Sequence, residues 1–452
     1  MKEKYLLKNI LLVNEGKIQS MDIYIAGERI ERIDKNIGIK GNYIEIDGTG
    51  KYLLPGIIDD QVHFREPGLT HKGTIFTESK AAVAGGVTSF MEMPNTIPNA
   101  LTGSLLEDKY LIASKNSLAN YSFFMGVSND NYEDVMQMNA KKEMICGIKI
   151  FMGSSTGNML VDNNNTLNKI FRDTELLIAT HCEDEEIIKN NYSMLKKNKT
   201  DLSSQDHPVI RNVAACYASS FKAVELARKY NSRLHVLHIS TEKELELFSN
   251  ELPLLQKRIT AEVCVHHLHF SSEDYEKYDY LIKCNPAIKE SNNRNALWKG
   301  LKDDRLDVIA TDHAPHTIEE KEGPYEHAHS GLPLVQHGLL LMLDHYKNGH
   351  ITLEQIVQKM CHSVADCFRI KDRGYIREGY FADMVIIDLE TSTTVQKSNL
   401  LYKCHWSPFE NKIFPASIAH TFVNGKCVFS PQRDSGEWDE SNKGMRLSFI
   451  SN

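Results

Sequence analysis

Polar side chains that could bind a metal ion or move a proton follow several apolar runs of this 452-residue sequence. They are Gln61, His63, Arg65, His181, His238 and Asp312, and Lys149 lies inside a further run. Imidazole and carboxylate groups suit Zn²⁺, and a catalytic zinc site keeps one position open for water. The residue types therefore predict a catalytic zinc site, provided that the fold brings them together.

Each of these residues also has a structural interpretation. A single histidine at the end of a strand is more often a hydrogen-bonded core residue than a metal ligand. Lys149 could extend past its apolar neighbours to reach water. The hypothesis of a metal site therefore depends on the whole set meeting in one place.

Eight apolar or β-rich runs recur through the middle of the chain, and helical or polar segments separate them. The runs cover residues 56–64, 87–93, 121–127, 146–152, 176–181, 233–239, 259–265 and 307–310. Helices are predicted between them, including residues 76–84, 208–230 and 241–250. The alternation is typical of a (β/α)8 TIM-type barrel, in which the carboxyl ends of the strands converge on one face.

The two ends of the chain alternate apolar and polar positions, which is typical of strands. Residues 21–33 and 382–388 show this pattern, and Asn424 with Gly425 is a strong hairpin signal. We therefore predict a small β-sandwich domain built from residues 1–54 and 371–452. The barrel with the metal-dependent site would occupy residues 55–370.

The composition excludes several classes of partner. The net charge of -8 and the absence of a Lys/Arg-rich block argue against binding to nucleic acid or to an anionic membrane. No apolar run reaches the roughly 18 residues of a membrane span, and the first residues lack a signal-peptide pattern. A cytoplasmic protein with a small-molecule substrate is predicted. The nine cysteines include no CxxC pair and are predicted to be reduced thiols.

Four motifs in the predicted barrel resemble the amidohydrolase superfamily, and specifically its class I dihydroorotases. They are PGIIDDQVHFREPG at 55–68, EMPNT at 92–96, GIKIFMGSSTG at 147–157 and ATDHAPH at 310–316. The resemblance runs from about Leu53 to Asp388, and WSPF at 406–409 extends it. It implies zinc-dependent, reversible hydrolysis of the cyclic amide of (S)-dihydroorotate to N-carbamoyl-L-aspartate, in de novo pyrimidine biosynthesis.

The resemblance also implies roles for single residues. The zinc ligands would be His63, Lys149, His181, His238 and Asp312. A carboxylated Lys149 would bridge two ions, and Asp312 would also be the catalytic acid and base. The substrate-binding residues would be Arg65, Asn95, Asn285, His316 and Gly331, with Arg65 and Asn95 on the substrate carboxylate.

Gln61 departs from the family pattern, which places a histidine at this position. Its amide offers zinc only a carbonyl oxygen, a weaker ligand than imidazole. The first metal site would then bind zinc weakly through Gln61, be completed by water, or stand empty. One or two zinc ions per chain are therefore expected.

Other functions stay open on the sequence. A hydantoinase, dihydropyrimidinase or allantoinase would share the metal ligands but not the pairing of Arg65 with Asn95. A noncatalytic scaffold that binds a carbamoyltransferase is a further alternative, to which only Gln61 points. A homodimer is expected from relatives, and residues 317–330 are predicted to close over the substrate. Further histidines are interpreted as structural or loop residues, namely His71, His207, His267, His269, His327 and His329.

Overall fold

The structure is a computed structural model that describes residues 3–153, 159–431 and 438–451. Strands occupy the amino-terminal part of the chain, namely β1 (Lys4–Asn14), β2 (Lys17–Ala26), β3 (Arg29–Asp34), β4 (Ile44–Asp47) and β5 (Tyr52–Pro55). β1 pairs antiparallel with β2, and parallel with β4 and β5. Ile23 and Ile25 of β2 are buried, so the alternating pattern of this segment reports a strand with one face in a core.

Parallel strands follow, namely β6 (Ile57–Val62), β7 (Val87–Glu92), β8 (Asn120–Phe123), β9 (Met125–Gly126), β10 (Ile148–Phe151), β11 (Ile178–His181), β12 (Leu234–Val236), β13 (Ile259–Cys264) and β14 (Val308–Ala310). Each predicted run contains a strand, and the third run contains β9 and overlaps β8, which begins one residue earlier. One parallel sheet has the order β6-β7-β8, and another has the order β9 to β14. Val62 forms a parallel bridge with His313, which brings the end of β6 beside the residues that follow β14.

Helices lie between these strands and after them. They are α1 (Ile75–Ala84), α2 (Gly103–Asn116), α3 (Tyr132–Gln137), α4 (Asn164–Asp173), α5 (Glu185–Asn198), α6 (His207–Ile210), α7 (Val213–Tyr230), α8 (Val265–His269), α9 (Tyr275–Tyr278), α10 (Ser291–Lys302), α11 (Gly338–Lys347), α12 (Leu353–Val357) and α13 (Ser363–Phe368). Thr74 begins α1, because its side chain accepts a hydrogen bond from Thr77 N.

Two predicted helices differ from the observed ones. The helix predicted at 208–230 is divided into α6 and α7, because the Asn212 side chain accepts a hydrogen bond from Ala215 N and starts a new helix. The helix predicted at 241–250 is only a short 3-10 helix, Lys243–Leu247. The Thr241 hydroxyl accepts a hydrogen bond from Glu244 N and donates to the Glu244 side chain, a pattern that starts a helix, but extended backbone at Phe248 ends it.

The carboxyl-terminal part adds β15 (Met384–Asp388), β16 (Thr393–Thr394), β17 (Ile413–Phe414), β18 (Ser417–Val423) and β19 (Lys426–Phe429). β15 pairs with both β5 and β18, so strands from the two chain ends form one sheet in the order β19-β18-β15-β5-β1-β2-β3, with β4 beside β1. The last residues return to the parallel strands, where Arg446 forms a bridge with Tyr121.

Two further predictions concern the chain as a whole. All nine cysteines are free thiols, as the absence of a CxxC pair predicted. Within the residues that the structure describes, no helix combines the length and the apolar character that crossing a membrane requires.

A buried ion pair connects α2 to the end of β7. Lys109 Nζ lies 2.8 Å from Glu92 Oε2, and both side chains are 1% exposed. Glu92 Oε1 also accepts a hydrogen bond from Phe64 N, at 3.0 Å. Glu92 therefore holds the backbone between His63 and Arg65, two of the predicted site residues.

Replacing Lys109 with Met should leave the Glu92 carboxylate buried and unpaired. We expect a loss of about 3–5 kcal/mol in the free energy of unfolding. Urea denaturation measures the loss, and Lys115→Met, an exposed position of the same helix, is the control. Equal midpoints for the Lys109 variant and the wild type would contradict the role given to the pair.

Candidate active site

A cavity of about 650 Å³ lies at the carboxyl ends of the parallel strands. The residues predicted for the site all line it, namely Gln61, His63, Arg65, Asn95, Lys149, His181, His238, Asn285, Asp312, His316 and Gly331. They come from the ends of β6, β7, β10, β11, β12 and β14 and from the loops that follow. Segments more than 200 residues apart in sequence thus share one cavity, as the parallel topology requires.

The backbone is left-handed at three of these residues. Arg65 has φ 71°, His238 has φ 40° and Asp312 has φ 48°. Residues with a Cβ rarely adopt this conformation, and those that do concentrate at functional sites. The chain accepts local strain at three strand ends that carry predicted chemistry.

His63 lies between Asn95 and Asp312. Its Nδ1 is 2.8 Å from Asn95 Oδ1, and its Nε2 is 3.2 Å from Asp312 Oδ1. Burial lowers the pKa of His63, which favours a neutral ring with a single N–H. A metal ion in place of the contact between His63 Nε2 and the Asp312 carboxylate would bind both groups.

Asp312 is an ionised carboxylate in this setting. Burial alone would raise its pKa, but hydrogen bonding and charge from His63 outweigh burial and hold the pKa below the usual value. An ionised carboxylate can bind a metal and can accept a proton, the two roles predicted for this residue.

His181 and His238 form a second pair on the same wall. His181 Nδ1 is 3.0 Å from His238 Nε2, and His181 Nε2 is 3.0 Å from Glu183 Oε2. Glu183 is itself fixed by Arg211, whose NH1 lies 2.5 Å away. A carboxylate behind a histidine orients the ring toward a metal. Burial lowers the pKa of both rings, so both are neutral and able to coordinate.

One atom of this pair is unsatisfied. His238 Nδ1 is buried and has no hydrogen-bond partner in the described part of the chain. A buried ring nitrogen without a partner, beside two neutral imidazoles in contact, is typical of a metal site that is seen without its ion. The residues present therefore fit a zinc ion.

Lys149 enters the cavity from β10 and is 1% exposed. Its Nζ lies 4.7 Å from the centre of the Phe151 ring, and no ion pair with a described carboxylate compensates its charge. Burial lowers the pKa of Lys149 to about 8. A substantial fraction of the amine is therefore neutral near pH 8.

Gln61 is buried beside these ligands. Its Oε1 accepts a weak hydrogen bond from Cys264 Sγ at 3.8 Å, and its backbone N–H donates to Asp59. The Gln61 side chain lines the cavity, but it does not give His63 and Asp312 the second imidazole ligand that a histidine at this position would supply.

The opposite side of the cavity is cationic. Arg65 Nε donates to Pro315 O at 3.0 Å, and its NH2 lies 3.0 Å from His316 Nε2. Burial lowers the pKa of Arg65 to about 10, so the guanidinium stays charged at neutral pH. In the described residues no carboxylate forms a salt bridge with Arg65. A buried cation without a counterion is prepared for an anionic ligand.

Two residues of this cationic side were missed by the sequence reasoning. Lys72 Nζ lies 3.1 Å from His316 Nδ1 and 2.9 Å from Glu320 Oε1. Glu320 lies in the segment 317–330 that was predicted to close over the substrate. Neither residue directly follows a predicted strand, so the sequence pattern did not indicate them. Their contact with the site is visible only in the folded structure.

The two remaining residues predicted to contact the substrate, Asn285 and Gly331, have different roles in the cavity. Asn285 Oδ1 is buried without a partner in the described chain, so it can accept a hydrogen bond from a ligand. Gly331 has φ 141°, and its N–H already donates to Lys283 O. A Cβ at Gly331 would lie 2.5 Å from Ala314 O, so glycine is required there and shapes the wall.

The other histidines are distributed as follows. His329 lines the cavity and stacks on His316 with ring centres 4.8 Å apart. His207 is buried between Tyr325 and Cys284, and His267 lies 3.1 Å from Pro286 O. Residues 154–157, the end of the third motif, lie outside the described residues.

Comparison with solved structures reveals the same fold in two hydrolases. L-hydantoinase (dihydropyrimidinase) from Arthrobacter aurescens superposes with a TM-score of 0.91 at 24% identity, covering 99% of this chain and 100% of that one. Dihydropyrimidinase from Brevibacillus agri gives a TM-score of 0.87 at 22% identity, with 99% and 100% covered. At these identities the likeness concerns the fold.

Sequence comparison gives nearer relatives. The Amidohydrolase family profile matches residues 52–428. A dihydroorotase of Methanosphaera stadtmanae is 33% identical, covering 96% of this chain and 99% of its own. A dihydroorotase of Listeria innocua is 32% identical, covering 94% and 99%. The chain therefore belongs to the amidohydrolase family, and within that family it groups with the dihydroorotases.

Proposed function

We propose that this chain is a zinc-dependent hydrolase that opens the cyclic amide of (S)-dihydroorotate to N-carbamoyl-L-aspartate, reversibly, in pyrimidine biosynthesis. The observation that carries the proposal is Arg65, a buried guanidinium without a carboxylate partner among the described residues, in the same cavity as the group of histidines and Asp312. Relatives named dihydroorotase, at 30–33% identity over more than nine tenths of the chain, support the same activity.

The cationic side would bind the substrate carboxylate. Arg65 supplies N–H donors in a planar fork, and Asn95 Nδ2 would donate to the carboxylate while Asn95 Oδ1 contacts His63. Asn285 Oδ1 would accept a hydrogen bond from a ring N–H. With the carboxylate held at one end, the ring amide is directed toward Asp312, and fixed orientation of this kind lowers the barrier.

The metal would be held by His181 and His238 together with Lys149, and by His63 and Asp312, with Gln61 as a weak additional ligand. Bound zinc supplies an acidified water and polarises the amide carbonyl. A carboxylated Lys149 would bridge two ions. Carboxylation joins the neutral amine to CO₂ and releases one proton, and the pKa of about 8 that burial gives Lys149 makes the neutral amine available.

Asp312 would carry the proton. Its carboxylate accepts the proton of the attacking water and then delivers it to the ring nitrogen that leaves. The pKa of Asp312, held low by His63, keeps the group ionised before attack. His63, fixed by Asn95, keeps the carboxylate in place between these two transfers.

The alternatives make different demands on the cavity. A hydantoinase, dihydropyrimidinase or allantoinase acts on rings without a carboxylate and has no need for a buried, unpaired arginine. A noncatalytic scaffold for a carbamoyltransferase has no need for ionised Asp312 beside neutral histidines. The charges in the cavity favour dihydroorotate over both.

Three features of the architecture belong to the same proposal. The parallel strands β6 to β14 would close into a barrel of residues 55–370, and the bridge between Val62 and His313 supports closure. Residues 1–54 and 371–452 would form a β-sandwich domain. The chain would act in the cytoplasm as a homodimer. It would also associate with a carbamoyltransferase, and a pull-down experiment with that enzyme tests this.

The main test compares the rates at which the chain hydrolyses several cyclic amides. The zinc-loaded chain should hydrolyse dihydroorotate in preference to hydantoin and dihydrouracil. Arg65→Met should raise KM for dihydroorotate roughly tenfold to a hundredfold, the value of charged hydrogen bonds. Any residual hydrolysis of hydantoin, which has no carboxylate, is the internal control and should be unchanged. Turnover of hydantoin or dihydrouracil but not dihydroorotate would reverse the proposal.

Asp312→Asn tests the proton carrier. We expect kcat to fall on the order of a hundredfold to ten-thousandfold, because the amide cannot accept a proton from water. Circular dichroism should be unchanged, and Asp201→Asn, at an exposed position, is the matched control. Retention of most of the wild-type rate by Asp312→Asn would remove this residue from the mechanism.

Gln61→His tests the first metal site. An added imidazole beside His63 should increase the zinc retained per chain during dialysis against a chelator, measured by elemental analysis. Gln61→Leu, which offers no ligand atom, should retain no more zinc than the wild type. Identical retention in the His variant and the wild type would mean that position 61 does not limit occupancy.

A further inference from the structure

Three titratable side chains meet in the interior next to the cavity. They are Asp60 of β6, His235 of β12 and Glu262 of β13, and each is 0% exposed. His235 Nε2 lies 3.2 Å from Asp60 Oδ2 and 3.8 Å from Glu262 Oε2. Among the residues that the structure describes, none of the three belongs to the lining of the substrate cavity.

The facing atoms of this interior cluster have no hydrogen-bond partner. Asp60 Oδ1 and Oδ2, His235 Nε2 and Glu262 Oε2 are all buried and unsatisfied within the described chain. A buried carboxylate oxygen without a partner is costly, and here oxygens of two carboxylates face one ring nitrogen. A cation at the centre would satisfy all four atoms.

The hydrogen bonds behind His235 favour a metal ion as that cation. Thr260 Oγ1 lies 2.7 Å from His235 Nδ1 and donates its own proton to Leu234 O at 3.3 Å. The threonine oxygen is therefore an acceptor for the Nδ1–H of His235. The Nε2 lone pair is left facing the carboxylates, as in histidines that bind metals.

We propose that Asp60, His235 and Glu262 bind a divalent metal ion of the zinc class at a structural site separate from the substrate cavity. Asp60 would contribute both oxygens, which gives four donor atoms with His235 Nε2 and Glu262 Oε2. One donor atom from each of the three residues lies within 4.8 Å of the others, and ligands around tetrahedral zinc are about 3.4 Å apart. Two carboxylates balance the charge of the ion, and the imidazole ligand disfavours Ca²⁺ and Mg²⁺.

The ion would support the neighbouring cavity through Glu262. The second oxygen of Glu262, Oε1, accepts a hydrogen bond from His238 N at 2.9 Å and from Cys264 Sγ at 3.3 Å. His238 has the left-handed φ of 40°. An ion that fixes Glu262 would thus hold the backbone of His238, and this role does not depend on the proposed activity.

Anomalous diffraction from crystals of the full chain grown with Zn²⁺ tests the proposal directly. Data collected above and below the zinc absorption edge should give a peak between Asp60, His235 and Glu262, resolved from any peak in the substrate cavity. Absence of a peak among these three residues would overturn the proposal, whether or not the cavity contains zinc.

Zinc stoichiometry gives an independent test with a matched control. Asp60→Asn removes one charge and one ligand oxygen, so the chain should lose about one zinc equivalent in elemental analysis after dialysis. Asp59→Asn changes the adjacent buried aspartate, whose oxygens already accept hydrogen bonds from Thr311, and should keep the wild-type count. Equal zinc content in Asp60→Asn and the wild type would overturn the proposal. Hydrolysis of dihydroorotate is measured separately, so that failure of this proposal is distinguished from failure of the proposed function.

Discussion

Buried histidines in contact with one another and with Asp312, at the carboxyl ends of the parallel strands, are the feature on which the rest of the site depends. His63 Nε2 faces the Asp312 carboxylate at 3.2 Å, and His181 Nδ1 faces His238 Nε2 at 3.0 Å. The remaining nitrogens of His63 and His181 are tied to Asn95 and Glu183. These hydrogen bonds fix the rings so that His63 Nε2 meets Asp312 and His181 Nδ1 meets His238, and a metal ion at these contacts would bind the same atoms.

Charge is divided between the two sides of the cavity. One side has neutral imidazoles and an ionised aspartate, and the other has Arg65 supported by His316 and Lys72. A substrate with an anionic end and an amide end matches this division, because each end meets the group that stabilises it. Left-handed backbone at Arg65 and Asp312, which begin the two sides, is the local strain that the arrangement requires.

Much of this arrangement follows from the sequence, because polar residues directly after apolar runs mark the ends of parallel strands. Each predicted run contains a strand, and the predicted site residues line one cavity. Lys72 and Glu320 were missed because loops place them. Asp60 was missed because β6 is buried on every residue, so no alternation separates one face from the other. The helix predicted at 241–250 is shorter than predicted because extended backbone at Phe248 ends it.

The central claim is that the gathered side chains bind a metal at one end of the cavity and the substrate carboxylate at the other. A crystal structure of the zinc-loaded chain with bound N-carbamoyl-L-aspartate tests it most directly. The account predicts zinc coordinated by His181 and His238, one product carboxylate on Arg65 and Asn95, and the group that corresponds to the ring amide within reach of Asp312. Product bound away from Arg65, or histidines that contact no metal, would contradict it.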